Sequence, residues 1–155
     1  MKKQIYTIAV DFDGTCVTHA FPLVGEEIGA AAPLRALTDN GHRIILLTMR
    51  DHNEYGNLWN IEKRDTLEDA VNWFSKNDIP LYGINENPDQ SWSASRKVYA
   101  DLYIDDTALG APLTFKKELS ARPFVDWKKV LIMLYGKGLI SLEQLDTIGN
   151  EKVIG

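Results

Sequence analysis

The sequence predicts an α/β domain: a Rossmann-like three-layer sandwich built on a central parallel sheet, with no sizeable cap domain. Three observations lead there. Short apolar, β-branched runs alternate along the chain with segments of helical periodicity, the pattern of βαβ units. Three of those runs end in, or run directly into, polar groups, at Asp11, at Thr48 and at Asp105-Asp106. The 155 residues, 45% of them hydrophobic, suit one domain with a single core.

The elements follow in order. "IYTIAV" (5–10) reads as a strand covered on both faces. In 26–41, Pro33 breaks the pattern, so the regular helix is expected to start there, with Leu34 and Leu37 on one face and Asn40-Gly41 closing it. "HRIILLT" (42–48) is a second buried strand. The segment 61–78 reads as a helix with Leu67, Ala70, Val71 and Phe74 on its core stripe and Asp65 or Thr66 as cap. "IPLYGIN" (79–85) is a third strand, 86–95 a turn-rich loop, and "ADLYIDD" (100–106) a fourth strand. "RPFVDW" (122–127) suggests a fifth, short strand. Trp127, Val130, Leu131 and Leu134 give 126–138 a helical core stripe, and Ser141 with Gln144 forms a capping box that opens 141–149.

Composition excludes several classes. Seventeen basic against 22 acidic residues leave a net charge of -5, which disfavours nonspecific nucleic-acid binding and shows no clear basic patch. Cys16 is the lone cysteine, so no internal disulfide is possible. The apolar stretch after Lys2-Lys3 is cut at Asp11, too short for a signal core, and no run nears the roughly 20 residues of a membrane span. The expectation is a cytoplasmic protein without a membrane partner.

In a parallel sheet, ligands collect outside the carboxyl ends of the strands, where strand order reverses. Asp11, Asp13, Asp105 and Asp106 are expected to meet there. Left ionised and unpaired, they would cost several kcal/mol. A hard divalent cation such as Mg²⁺, with a phosphate beside it, resolves the repulsion. A carboxylate next to that ion can attack phosphorus, and a second one two residues on can shuttle the proton. Gly14 permits the sharp turn that brings N–H groups toward the phosphate.

"DFDGT" at 11–15 resembles the D-x-D-G-T signature of the haloacid dehalogenase-like (HAD) phosphohydrolases. "IILLT" resembles their second motif, Lys97 in "SRKVYADLYIDD" their third, with Arg96 as a fallback, and Asp105-Asp106 the acidic pair of their fourth. The motifs appear in family order over residues 5 to about 107. The resemblance implies Asp11 as nucleophile and metal ligand, and Asp13 as general acid/base whose carbonyl also binds the metal. It implies Thr48 as a donor to a phosphoryl oxygen, and Lys97 as the charge-balancing cation. Asp105 and Asp106 complete the metal shell, with the direct ligand undecided between them. The family's phosphate-binding N–H donors fall around Phe12 and Asp13 and just after Thr48, at Met49. Asp13 favours phosphate chemistry over dehalogenation. About 18 residues between Thr15 and the Pro33 helix leave no room for a cap, so the chain resembles the capless branch. Its open site suits bulky substrates, or a neighbouring copy in a homo-oligomer can serve as lid.

Simpler readings stand beside these. The aspartates also read as turn or cap residues, which the ordered set of motifs disfavours, Thr48 as a plain strand end and Lys97 as a solvated lysine. Arg50, in "TMR", either grips a substrate phosphate or pairs at the surface with Asp51 or Glu54. His19, His42 and His52 lack metal-ligand spacing and read as surface or loop histidines, and Cys16 as a packing residue. Trp73 and Trp127 read as core, Trp59 and Trp92 as loop residues, and 52–60 as a substrate-facing lip. The rival functional class is a phosphate-responsive regulatory module or a binder of phosphorylated ligands without turnover. Receiver domains place their acidic pair after the first strand, the reverse of the order here.

Overall fold

The computed structural model describes residues 2–53 and 62–151. Four strands form one parallel sheet: β1 (Thr7–Val10), β2 (Arg43–Leu46), β3 (Gly83–Ile84) and β4 (Leu102–Ile104), in the order β3-β2-β1-β4. Among the described residues four helices flank it: α1 (Ala31–Asp39), α2 (Thr66–Lys76), α3 (Trp127–Gly136) and α4 (Leu142–Asn150). The expected α/β, Rossmann-like architecture is the one observed. No helix among the described residues is long and apolar enough to cross a membrane.

All four residues of β1 are buried, as a central strand requires. Ile8, Val10, Ile44 and Leu46 line one face and share a hydrophobic cluster with Leu34 and Leu37 of α1, Ala70, Trp73 and Phe74 of α2, and Val130, Leu131 and Leu134 of α3. The helix ends follow the caps. Asp65 accepts from the Glu68 N–H at 2.9 Å, Asp126 accepts from the N–H groups of Lys128 and Lys129, and Ser141 forms the full capping box with Gln144. Pro33 sits in the first turn of α1, where its missing N–H is not needed.

Two features depart from expectation. The third strand keeps only Gly83 and Ile84 in the ladder. The fifth strand, Phe124–Val125, does not join the parallel sheet. It pairs antiparallel with Leu113–Thr114 in a separate two-stranded ladder, making these β6 and β5. A two-residue strand carries too little period to be read from sequence, and its partner decides where it goes.

Register positions the site. Val10 pairs with Leu46 and with Ile104, and Leu46 with Ile84. The next residue along each strand is therefore Asp11, Leu47, Asn85 and Asp105, one row at the carboxyl edge. The Asp11 N–H extends the ladder to the Ile104 carbonyl at 3.0 Å. Strand order reverses between β1, whose chain proceeds to β2, and β4 on its other side, so Asp11 and Asp105 flank the switch point.

A candidate carboxylate centre at the switch point

Asp11, Asp105 and Asp106 each offer a carboxylate oxygen within 4.8 Å of the others. Hard oxygen donors at this spacing suit a divalent cation such as Mg²⁺ or Mn²⁺. The protein contacts one oxygen of Asp11, one of Asp105 and both of Asp106, whose Oδ1 lies 3.4 Å from the Thr15 hydroxyl. The Thr15 hydroxyl donates to Asp11 Oδ2 at 2.8 Å, and Asp105 Oδ1 accepts from the Thr107 N–H and hydroxyl, both at 2.8 Å. Asp106 Oδ2 lies 3.0 Å from His19 Nε2. Thr15 Oγ1 also accepts from the Asp106 N–H at 3.1 Å, so one buried hydroxyl links both sides of the switch point.

Burial pushes the Asp11 carboxyl up to about 7. The Thr15 hydroxyl and the Phe12 N–H pull it down, while the Asp105 charge and the contact with Asp106 push it further up. A carboxylate raised by its surroundings and ringed by others marks a place where a cation is favourable.

Asp13 goes elsewhere. Its two oxygens accept from Arg50 Nε at 2.8 Å and Arg50 Nη2 at 2.7 Å, a bidentate pair. Arg50 is buried, stacks on Phe12 and Phe21, and directs its remaining N–H groups to the carbonyls of Thr66, Leu23 and Pro22. Both expected roles for Arg50, the substrate grip and the surface pair with Asp51 or Glu54, give way to this clamp. Its five donors already have acceptors, and a desolvated guanidinium needs them all. The Asp13 side chain accordingly stands outside the triad.

The loop after β1 is shaped for this arrangement. Gly14 has φ +79°, and a Cβ there would lie 2.1 Å from His19 Nε2 and 2.6 Å from Asp106 Oδ2. Its positive φ makes the sharp turn, its own N–H bonds the Val17 carbonyl at 2.8 Å, and its missing side chain leaves room for His19 and Asp106. The Phe12 side chain is core, edge-on to Trp73. The loop is pinned from the far end of the chain, by the Val125 N–H on the Gly14 carbonyl and Trp127 Nε1 on the Thr15 carbonyl at 2.7 Å.

Other expected residues lie around this centre without joining it. Thr48 gives its N–H to Asn85 Oδ1 at 2.8 Å, and its hydroxyl oxygen accepts from the Arg50 N–H. The Met49 side chain is fully exposed. Lys97 is exposed, with Nζ 5.7 Å from the Tyr103 ring centroid, and among the described residues it pairs with no aspartate of the triad. Arg96 is also exposed. Cys16 is buried, and its thiol is pushed well up by desolvation, in keeping with a packing role. His42 is no surface histidine: it is buried beneath Tyr6, whose N–H bonds His42 Nδ1 at 3.0 Å. His52 is exposed and pairs with the α2 cap Asp65. Trp59, Glu54 and most of the expected lip, 54–60, lie outside the described residues.

Sequence reasoning missed Thr15, His19, Asn85 and Trp127 as site residues. Thr15 was visible as the last letter of "DFDGT". His19 carries no local signal because only folding brings Asp106 to it, and Trp127 reaches the loop from the far end of the chain.

No family model and no curated protein matches the chain. A solved structure is similar, that of a conserved protein coded by a locus from Bacteroides thetaiotaomicron. It is 32% identical, with a TM-score of 0.64, over 86% of this chain and 93% of that chain. At that identity and coverage, the chain belongs to the family of that Bacteroides thetaiotaomicron protein.

Proposed function

We propose that the chain is a HAD-like phosphohydrolase that hydrolyses a phosphomonoester with Mg²⁺ through an aspartyl-phosphate on Asp11. The convergence of Asp11, Asp105 and Asp106 within 4.8 Å at the switch point carries this reading. These three residues would hold the ion, which when bound supplies positive charge against the phosphoryl oxygens.

The residues divide the chemistry. Asp11 attacks phosphorus, a new P–O bond forms, and the bond to the leaving oxygen breaks. Asp13 is the acid/base of this reading: with one oxygen released from Arg50 and protonated, it gives the leaving oxygen its proton, then takes a proton from the water that attacks the phosphoaspartate. The second attack breaks the P–O bond to Asp11 and releases inorganic phosphate. The Thr15 hydroxyl fixes which Asp11 oxygen stays behind, and the Arg50 clamp fixes Asp13 two residues away. Thr48 offers its hydroxyl proton to a phosphoryl oxygen, and Lys97 supplies a cation from the rim. The substrate is a phosphorylated molecule that an open site admits, and a second copy of the chain can act as lid.

The test is a panel of phosphorylated metabolites assayed with Mg²⁺ and with chelator, alongside Asp11→Asn. Sustained phosphate release that needs both Mg²⁺ and Asp11 supports the reading. Release untouched by Asp11→Asn overturns it, and uptake of one phosphate without turnover favours the regulatory module.

A further inference from the structure

We propose that His19 is a positioning residue that holds Asp106 in the orientation the triad needs to take up a divalent cation, an inference that rests on reading the triad as a metal centre. Each carboxylate of the triad has a neighbour that fixes it, and Asp106 has two, since its Oδ1 lies 3.4 Å from the Thr15 hydroxyl. Thr15 holds Asp11 and Thr107 holds Asp105, both through hydroxyl donors. For Asp106 the closer neighbour is His19, with Nε2 3.0 Å from Oδ2. The two side chains are only 15% and 6% exposed, so the contact is shielded from water.

Among the described residues, His19 is the sole basic side chain within ion-pair distance of the triad, since Arg50 is committed to Asp13. His19 Nε2 is buried and meets Asp106 Oδ2 at ion-pair distance without forming an aligned hydrogen bond to it, so a small turn of either side chain would complete the contact. Two features aim the ring. The Thr18 N–H and hydroxyl bond the Glu26 carbonyl and N–H, closing the base of the turn that carries His19. Gly14 leaves the space the ring fills, since a Cβ there would collide with Nε2. Outer partners of this kind orient ligands, and their loss costs about 10–100-fold in metal affinity.

Mn²⁺ binding, read from its EPR signal in the substrate-free protein, tests this with wild type, His19→Ala and His19→Gln. The Gln side chain places an N–H where Nε2 stood. We expect His19→Ala to weaken Mn²⁺ binding about 10–100-fold, and His19→Gln to recover most of that loss. If wild type binds Mn²⁺ and His19→Ala binds equally well, or His19→Gln is no better than His19→Ala, the positioning role is overturned. A wild-type protein that takes up no Mn²⁺ overturns the metal-centre reading and this inference with it.

Discussion

Asp11→Asn tests the electrostatics of the centre separately from its chemistry. The Asp11 carboxyl, ordinarily near 3.8, stands at about 7 in the folded chain, mainly because it is buried. A group raised in the folded state contributes stability in full below its unfolded value, and loses it as pH rises through the folded one. In chelator, wild type should therefore lose stability between about pH 4 and pH 7 through this one group. At 1.36 kcal/mol per unit, a rise of about three units sets a ceiling of about 4 kcal/mol. The partial exposure of the side chain and its acidic neighbours reduce that to about 1–3 kcal/mol. Asparagine keeps the shape and can still accept from Thr15, but carries no charge. The assay is urea unfolding of both proteins in chelator, at pH 4 and at pH 8. Titrating groups that do not interact with Asp11 cancel in the difference, which therefore reads Asp11 together with its neighbours Asp105 and Asp106. The variant should gain about 1–3 kcal/mol on wild type between the two pH values. A difference that does not change with pH refutes the argument that burial and like charge strain this site. With Mg²⁺ present the order should move back toward wild type, because the ion stabilises the protein that binds it.

Two further predictions concern the frame around the centre. Arg50→Ala leaves Asp13 unpaired and three carbonyls without their donor, so it should cost about 3–5 kcal/mol in urea unfolding; a cost below about 1 kcal/mol would show that the clamp carries little. Gly14→Ala combines φ +79° with a Cβ 2.1 Å from His19 Nε2, and should lower stability by about 1–3 kcal/mol and displace the His19 ring signal in NMR; an unchanged ring shift would contradict the crowding.

The fold was legible because its signals are local. Apolar, β-branched runs mark β1, β2 and β4, and caps such as Asp65 and the Ser141–Gln144 box mark the helix starts. The aspartates were legible for the same reason: strand ends followed by acids place those acids at one edge of a parallel sheet. Arg50 misled because "TMR" reads as exposed, whereas its neighbours in space, Phe12, Phe21 and the Thr66 carbonyl, come from three other segments.

The sequence by itself determined the α/β class, the order of the elements and the acidic edge, since each follows from side-chain period and strand length. Only the tertiary structure decided which aspartates meet, which one Arg50 takes, and that His19 and Trp127 brace the loop. Those pairings depend on register and on contacts between residues tens of positions apart, such as Trp127 with Thr15, and no local pattern encodes such distances.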